Sequence, residues 1–317
     1  MSDRKRFLVV GGAGFIGSHL VNRLMERGFS VTVFDNMSTG SLSNLDHHLK
    51  KESFQLVKAD ILDVEEIRGV VRRSDVVFHL AAAVDVQRSI RDPSETYRVN
   101  VGGTLNILEA CRRADTDLVV YASSCALYGD KGKVGIEEDA LPRPISPYAV
   151  SKLAAENYCL SFCGTYGLPT ISLRFFNVYG PRQRVGPYSG VVTKFVQKLL
   201  SCKRPTIYGD GEQSRDFVNV QDAVDSCMLC LRRKEAIGQA INIGTGRATT
   251  INSLANLLMK LTGRSALKPL YQPSREGEIR HSRADIGLAK KLLGYAPRVT
   301  LREGLRDYVA WFFASGS

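Results

Sequence analysis

The chain has 317 residues, of which 44% are hydrophobic and 24% are charged, the ordinary composition of a soluble globular protein. No apolar run approaches the roughly 20 residues that span a bilayer, and the short apolar run after residue 6 is too short for a signal peptide, so we expect a cytoplasmic protein without a membrane partner. The formal net charge of +11 comes from scattered lysines and arginines, a pattern that does not favour nucleic acid as a partner.

The seven cysteines are odd in number and irregularly spaced, which favours reduced thiols over a disulfide framework. Cys227 and Cys230 form a CxxC spacing, but it lies inside a helical pattern and has no partner pair. We therefore predict two thiols on a helix and no metal site.

The first predicted elements form a strand, a glycine-rich turn and a helix. The apolar run from Phe7 to Val10 is typical of a buried parallel strand, and glycines follow it at positions 11, 14 and 17. Gly11, Gly14 and Gly17 permit a tight turn, close approach to a pyrophosphate and close packing of the helix that we predict from His19 to Arg27. A second strand, Val31 to Phe34, ends in Asp35, which is placed to bind ribose hydroxyls and to repel a 2′-phosphate. The pattern predicts a dinucleotide site that prefers NAD to NADP.

The alternation of strands and helices continues, and it predicts an α/β protein with a Rossmann-type, doubly wound parallel sheet. Small residues at 81–83 either let the backbone pass close to a flat ring or reflect tight packing of the sheet, and the sequence leaves both readings open. The predicted elements are the strands Phe54 to Lys58, Val76 to Leu80 and Leu118 to Ala122, and the helices Val64 to Val71 and Pro93 to Arg113.

Tyr148 and Lys152 lie four residues apart in a segment that Pro147 can open as a helix, with no breaker before Gly164. A phenol with a pKa near 10 needs roughly 4 kcal/mol to lose about three pKa units, and a cation about 4 Å away supplies about that much at an effective dielectric constant near 20. Lys152 is placed to be that cation, although a tyrosine and a lysine at this spacing also occur by chance on an ordinary helix. Ser124 follows a predicted strand, where it either binds a substrate hydroxyl or caps a turn.

Together with the glycine-rich turn, these residues resemble the extended short-chain dehydrogenase/reductases, in the NAD-dependent epimerase/dehydratase branch. Further matches run through nearly the whole chain, among them Asp60-Ile61, His79-Leu80-Ala81-Ala82, the segment from Arg174 to Pro181, and the segment from Arg275 to Glu278. The resemblance implies an NAD-binding domain of residues 1–178 plus 214–247. It also implies a smaller C-terminal α/β domain, residues 179–213 plus 248–317, which binds a nucleotide sugar.

The resemblance also assigns roles to individual residues. Ser124, Tyr148 and Lys152 become the catalytic residues, and Tyr148 and Lys152 also contact the cofactor. The further residues implied to bind NAD are Phe15, Ile16, Asn36, Ser38, Gly40, Asp60, Ile61, Leu80, Ala81, Ala82, Asn100 and Phe176. Those implied to bind the UDP-sugar, besides Ser124 and Tyr148, are Asn177, Val192, Thr206, Tyr208, Arg215, Arg275, Glu278 and Ser282.

The activity implied by the resemblance is epimerisation at C4 of the sugar. Tyr148 removes the proton of the C4 hydroxyl, the C4 hydride passes to NAD, and the keto sugar turns and takes the hydride back on its other face. Related dehydratases and decarboxylases carry an extra acid or base just after the catalytic serine or threonine, whereas Cys125 and Ala126 stand there in this chain.

The small residue at Ser282 is expected to admit a 2-acetamido group, so the resemblance favours UDP-GlcNAc and UDP-GalNAc, with UDP-Glc and UDP-Gal as further substrates. The loop from Val84 to Ser89, with Arg88, is expected to face the sugar and leaves a UDP-glucuronate 4-epimerase open. The sequence also leaves open a nucleotide-sugar reductase of the same family and a catalytically silent binding protein. The helices from Pro93 to Arg113 and from Pro147 to Tyr166 resemble the pair that forms homodimers in the family.

Overall fold

The structure is a computed structural model that describes residues 5–183, 186, 189–274 and 279–314. The strands are β1 (Arg6–Val10), β2 (Ser30–Phe34), β3 (Phe54–Val57), β4 (Val76–His79), β5 (Leu118–Ser124), β6 (Thr170–Phe175), β7 (Asn177–Tyr179), β8 (Thr206–Tyr208), β9 (Ser214–Arg215), β10 (Phe217–Asn219), β11 (Ala240–Ile243), β12 (Thr249–Thr250), β13 (Leu270–Gln272) and β14 (His281–Ser282).

The α-helices are α1 (Phe15–Glu26), α2 (Val64–Val71), α3 (Val86–Arg91), α4 (Pro93–Tyr97), α5 (Gly103–Arg113), α6 (Pro147–Tyr166), α7 (Val191–Leu200), α8 (Val220–Cys230), α9 (Ile251–Leu261), α10 (Gly287–Leu293) and α11 (Leu301–Ala314). Among the described residues, no helix is long and apolar enough to cross a bilayer.

Seven parallel strands form one sheet in the order β11-β6-β5-β4-β1-β2-β3. The order runs outward in both directions from the boundary between β1 and β4, so the chain reverses its course there. In such a sheet ligands bind beyond the carboxyl ends of the strands at this reversal. The α/β fold with a doubly wound parallel sheet is therefore confirmed, and its topology places the crevice beside Gly11 and Leu80.

The sheet is covered on both faces, because successive residues of each strand point to opposite sides. Phe7 and Val9 belong to one buried cluster and Leu8 and Val10 to the other. Each of these four side chains is at most 2% exposed. The packing of both faces holds the strand ends, and therefore the loops that follow them, in fixed positions.

A third buried cluster, in which α7, α9 and α11 pack together, is smaller than the cores of the large sheet. It contains Phe195, Leu258 and Tyr308, which lie in the part of the chain that we assign to the nucleotide-sugar domain. By contrast, Ala289 and Leu293 of α10 pack in the cluster of the large sheet. The division into two domains at the boundaries given above stays a prediction.

Some predicted boundaries differ from the observed ones. Helix α1 begins at Phe15 rather than His19, since the N–H of Ser18 already donates to the carbonyl of Gly14 at 3.0 Å. Strand β5 continues past Ala122 to Ser124. The predicted helix from Pro93 to Arg113 is interrupted by a π-helical turn, Arg98–Gly102, an irregularity that is frequent at functional sites.

Candidate active site

The glycine-rich turn after β1 is packed so closely that side chains are excluded from it. A Cβ on Gly17 would lie 2.1 Å from the carbonyl oxygen of Gly11. Gly11 has a φ of +84°, and a Cβ there would lie 2.6 Å from the amide nitrogen of Ala81. Gly14 is the N-cap of α1 and provides no side-chain cap, so the N–H groups of the first turn, where Phe15 and Ile16 stand, face the crevice without a capping oxygen.

Asp35, at the end of β2, accepts hydrogen bonds from the backbone N–H groups of Ala13 and Met37 at 2.9 and 2.8 Å. These bonds tie the carboxylate to the glycine-rich turn. Burial raises the pKa of Asp35, and the two N–H groups partly oppose that rise. Each carboxylate oxygen keeps a further lone pair for a ligand hydroxyl, which agrees with the predicted role of Asp35 at a ribose.

Other predicted NAD residues support the loops on either side of this turn. Asn36 donates to Asp60 at 2.7 Å and its side-chain oxygen accepts from the N–H of Ser38 at 3.0 Å. A Cβ on Gly40 would lie 2.7 Å from the Cβ of Ala13, and Ile61 is buried against the helix that follows the π turn. These contacts hold the loops after β2 and β3 beside the dinucleotide crevice.

Asn100 lies in the π-helical turn and is 1% exposed. Its side chain accepts from the N–H of Ala83 at 2.7 Å, donates to the carbonyl of Ala83 at 3.0 Å and donates to Ser151 at 2.9 Å. The N–H groups of Leu80 and Ala81 both donate to the carbonyl of Val10. Asn100 therefore fastens the loop that contains Leu80, Ala81 and Ala82 to helix α6.

Ser124 and Tyr148 meet where β5 ends and α6 begins. The Ser124 hydroxyl is close enough to the Tyr148 phenol to influence its pKa, and Ser124 Oγ accepts from the N–H of Ala126 at 3.2 Å. Ser124 therefore caps the following 3₁₀ turn, and its role at a substrate hydroxyl stays a prediction. Burial raises the pKa of Tyr148 to about 12, and the hydrogen bond with Ser124 partly opposes that rise.

Lys152 has a second aromatic neighbour besides Tyr148. Lys152 is 3% exposed, and its Nζ lies 4.2 Å from the centroid of the Tyr121 ring. It is not among the groups that shift the pKa of Tyr148, which is raised rather than lowered. The ammonium turns toward an aromatic face, and the loss of water around the phenol disfavours the phenolate. At pH 7 the protein by itself keeps Tyr148 as a neutral phenol.

The environment of Lys152 is also unusual for a lysine. Burial lowers its pKa to about 7, and the nearby Cys159 and Glu156 partly oppose that effect. His79 lies beside it, with Nε2 2.9 Å from the hydroxyl of Thr104. A buried amine that titrates near neutral pH, next to a tyrosine at a crevice, is typical of an active site.

On the other side of the crevice, Ser282 is 5% exposed, and its hydroxyl lies 4.0 Å from the sulfur of Cys125. Arg215 is the neighbour of Ser282 in the register of β9 and β14, and its guanidinium donates to the carbonyl of Ser214 at 2.9 Å. The structure thus brings Ser282 next to the residue that follows Ser124. Arg275 and Glu278 lie outside the described residues.

The remaining predicted substrate residues lie around the smaller core. Val192 is buried in α7, Thr206 accepts a hydrogen bond from Lys198, and Tyr208 ends β8. Asn177 donates through its backbone N–H to the carbonyl of Asp216 at 3.0 Å. Phe176, which we expected at the cofactor, is 4% exposed and packs in a cluster with Tyr128.

Two buried carboxylates that the sequence analysis did not single out organise this region. Asp216 accepts from the N–H groups of Thr245, Gly246 and Ala284 at 2.8 to 3.2 Å, and so joins the loop after β11 to β14. Glu156, which lies on the same helix as the predicted catalytic residues Tyr148 and Lys152, pairs with Arg174. The sequence signal for Glu156 is its position four residues after Lys152, which continues the spacing of Tyr148 and Lys152.

These features fit NAD. The turn between Gly11 and Gly17 leaves no room for side chains, the first turn of α1 offers uncapped N–H groups to a pyrophosphate, and Asp35 stands at the end of β2 where a ribose is bound in such folds. Tyr148 and Lys152 lie across the crevice, at the carboxyl ends of β4 and β5. NAD is the cofactor.

A family model described as the NAD-dependent epimerase/dehydratase family matches residues 7–244. A UDP-glucose 4-epimerase of Mycolicibacterium smegmatis is 38% identical over 310 residues, which is 97% of this chain and 98% of the relative. The structure is also similar to a UDP-glucose 4-epimerase of Thermotoga maritima with UDP-glucose, at a TM-score of 0.93 and 38% identity over 98% of this chain and 100% of the other.

Two further solved structures differ in their sugars. A UDP-N-acetylglucosamine 4-epimerase of Methanobrevibacter ruminantium, in complex with UDP-N-acetylmuramic acid, has a TM-score of 0.93 and 35% identity over 99% of this chain and 100% of the other. A UDP-glucuronic acid 4-epimerase of Bacillus cereus, in complex with UDP-glucuronic acid and NAD, has a TM-score of 0.91 and 33% identity over 98% of this chain and 99% of the other. The chain belongs to the NAD-dependent epimerase/dehydratase family, within its UDP-sugar 4-epimerases, which are isomerases.

Proposed function

We propose that this protein interconverts UDP-GlcNAc and UDP-GalNAc by epimerisation at C4, and that it also accepts UDP-Glc and UDP-Gal. The observation that carries the proposal is the placement of Ser124, at the end of β5, beside Tyr148 on α6, with Lys152 one helical turn further on. A hydroxyl of the sugar that enters between Ser124 and Tyr148 meets a donor and a base at the same oxygen.

In this mechanism Ser124 binds the C4 oxygen and Tyr148 takes its proton. NAD, when bound, would accept the hydride from C4 and return it, and its oxidised form would add a positive charge to the site. Because the pKa of Tyr148 is raised to about 12, chiefly by burial, the phenolate needs positive charge, which Lys152 provides if its ammonium leaves the Tyr121 ring for the crevice. Tyr148 returns the proton once the sugar presents its other face.

The residues after Ser124 support a simple epimerase. Burial raises the pKa of Cys125 to about 11, so this thiol is neutral at pH 7, and Ala126 has no ionisable group. Elimination of a C6 hydroxyl or control of a decarboxylation needs a further acid or base, and neither residue can act as one. The reaction therefore ends with the return of hydrogen to C4.

The choice of sugar rests on Ser282 and Cys125. Both are small, and their contact at 4.0 Å forms a wall of the crevice near Ser124. A wall without a bulky side chain leaves space for a 2-acetamido group and does not exclude a plain hexose. We propose that the UDP moiety binds between Arg215 of the NAD-binding domain and Tyr208 and α7 of the nucleotide-sugar domain.

UDP-glucuronate is the competing substrate, and it is supported by the similarity to the Bacillus cereus enzyme. It requires a donor for the carboxylate. Arg88, in the loop that we expected at the sugar, donates to Glu95 at 2.7 Å and is 62% exposed, so its charge is already paired. This pairing favours a neutral sugar.

The test is product analysis by chromatography after incubation with UDP-GlcNAc, UDP-Glc or UDP-glucuronate and no added cofactor. We expect UDP-GalNAc to form fastest, and Tyr148→Phe to lower kcat by roughly 10²- to 10⁴-fold because the base is lost. A reductase would stall without added cofactor. Unchanged epimerisation by Tyr148→Phe would contradict the assignment of the base, and turnover of UDP-glucuronate alone would contradict the choice of sugar.

We also propose a homodimer in which the helical segment from Pro93 to Arg113 and helix α6 face a second copy. Tyr97, Val150 and Tyr166 on these helices are more than half exposed. Large apolar side chains that remain exposed on adjacent helices are typical of contact surfaces. Light scattering that gives the mass of a monomer would contradict this proposal.

A further inference from the structure

A buried ion pair joins helix α6, which contains the predicted catalytic residues Tyr148 and Lys152, to strand β6. The Nη2 of Arg174 is 2.6 Å from Oε1 of Glu156, and Nε lies 3.1 and 3.0 Å from the two carboxylate oxygens. The Glu156 side chain is 1% exposed and that of Arg174 is 8% exposed. Because the guanidinium makes two parallel hydrogen bonds to the carboxylate, it fixes both the orientation of the Glu156 side chain and its distance from Arg174.

Glu156 also accepts from the hydroxyl of Ser123, at 2.6 Å. Ser123 directly precedes Ser124 at the end of β5, while Glu156 lies on α6 one turn after Lys152 and two turns after Tyr148. The hydrogen bond from Ser123 to Glu156 therefore joins the end of β5, which contains Ser124, to the helix that contains Tyr148.

The far side of the ion pair is held as well. The Nη1 of Arg174 donates to the hydroxyl of Tyr128 at 2.6 Å and to the carbonyl of Glu138 at 2.7 Å. Tyr128 in turn donates to Asn242 on β11 at 2.7 Å. Arg174 is thus restrained from three directions, so it presents a fixed partner to Glu156.

We propose that Glu156 is a positioning residue, which acts through Ser123 to hold the end of β5 where Ser124 meets the Tyr148 phenol. The inference rests on the proposed function, since it concerns the base of that reaction. The loss of the Ser123 hydroxyl leaves the ion pair intact but frees the strand end from the helix. Ser124 then sits less accurately against Tyr148, and small displacements of reacting groups lower rates strongly.

The competing interpretation is that the ion pair only stabilises the fold. In that case a variant that folds normally keeps the kcat of the wild type. Positioning instead predicts a lower kcat with an unchanged KM, because Ser123 is not among the residues that we propose to bind the UDP moiety.

The test compares Ser123→Ala with Ser123→Thr and with a matched control, Ser226→Ala. Ser226 is a fully buried serine on α8, and its hydroxyl donates to the carbonyl of Ala223 at 2.7 Å. We expect Ser123→Ala to lose about tenfold in kcat with KM and the Kd for UDP unchanged within about twofold. Ser123→Thr keeps the hydroxyl and should recover most of the activity, and Ser226→Ala should behave as the wild type.

Thermal unfolding of all variants and a crystal structure of Ser123→Ala complete the test. The distance between Ser124 Oγ and Tyr148 Oη should lengthen in Ser123→Ala, and an unchanged distance overturns the inference whatever the activity. A wild type without epimerase activity refutes the proposed function alone. If the wild type is active and Ser123→Ala is equally active, only the inference is refuted. The same holds if the loss of activity across the three variants is proportional to the loss of melting temperature. If Ser123→Ala does not fold, Ser123→Cys keeps the shape with a weaker donor, and a kcat equal to that of the wild type refutes the inference.

Discussion

Replacement of Lys152 by methionine should stabilise this protein while it abolishes catalysis. Lys152 is 3% exposed, and burial lowers its pKa from the ordinary 10.5 to about 7. Because one pKa unit corresponds to about 1.4 kcal/mol, the folded state carries a penalty of roughly 5 kcal/mol for the ammonium at low pH. Methionine has a similar length and carries no charge to desolvate.

The net gain is smaller than the whole penalty. The variant loses the contact between the ammonium and the Tyr121 ring, 4.2 Å from Nζ to the centroid. Buried contacts of this kind contribute about 1 to 2 kcal/mol. We therefore expect Lys152→Met to unfold with a free energy about 3 kcal/mol higher than the wild type at pH 7.

The pH dependence gives the sharper test. The folded pKa of Lys152 lies below the unfolded one, so between about pH 7 and 10.5 the unfolded chain binds more protons and the stability of the wild type rises with pH. The gap between variant and wild type should shrink by about 1.4 kcal/mol for each pH unit in this window. Below pH 7 the full penalty is present and the gap should be constant.

Urea unfolding of NAD-stripped protein at pH 7.0, 8.0 and 9.0 measures this gap without the stabilisation that a bound ligand adds. Lys260→Met is the matched control, because Lys260 is exposed on α9 and should give the same small difference at every pH. A gap for Lys152→Met that does not change with pH, or a wild type that is the more stable protein at pH 7, would refute the reasoning.

Two further variants test the cofactor turn and the sugar wall. Gly17→Ala should lose most of its bound NAD, because the new Cβ would lie 2.1 Å from the carbonyl oxygen of Gly11. The nucleotide content of the purified protein measures this loss. Gly164→Ala is the control, because a Cβ there has no atom within 4 Å. If Gly17→Ala retains stoichiometric NAD, the glycine-rich turn can adjust its backbone to accept the Cβ, and the prediction is wrong. Ser282→Tyr should lower kcat/KM for UDP-GlcNAc by at least about tenfold relative to UDP-Glc, because the phenol would fill the space beside Cys125. An unchanged ratio of the two substrates would place the acetamido group elsewhere.

Much of this fold could be predicted from the sequence because its signals are local. The apolar run before Gly11 and the glycine spacing that follows need no distant partner, and β1, the turn and α1 follow in the predicted order. The same holds for helix α6, which begins at Pro147 as predicted and brings Tyr148 and Lys152 to one face. Fold class, family and cofactor follow from such patterns.

Other features depend on groups that are distant in the chain, and only the tertiary structure decided them. The contact of the Lys152 ammonium with the ring of Tyr121 on β5 joins two residues that are 31 positions apart. Asn100, predicted at the cofactor, bonds to the backbone of Ala83 and to Ser151, 51 positions away.

The hydrogen bonds around the Glu156–Arg174 ion pair also could not be predicted from the sequence. Its hydrogen bonds join Ser123 to Glu156 across 33 positions and Tyr128 to Asn242 across 114. The period of a helix or a strand reports which side chains share a face, but it does not report which face of another element they meet. The sequence by itself therefore determined the fold class, the dinucleotide turn and the candidate catalytic residues, whereas the burial that shifts the pKa values of Tyr148 and Lys152 arises only in the folded chain.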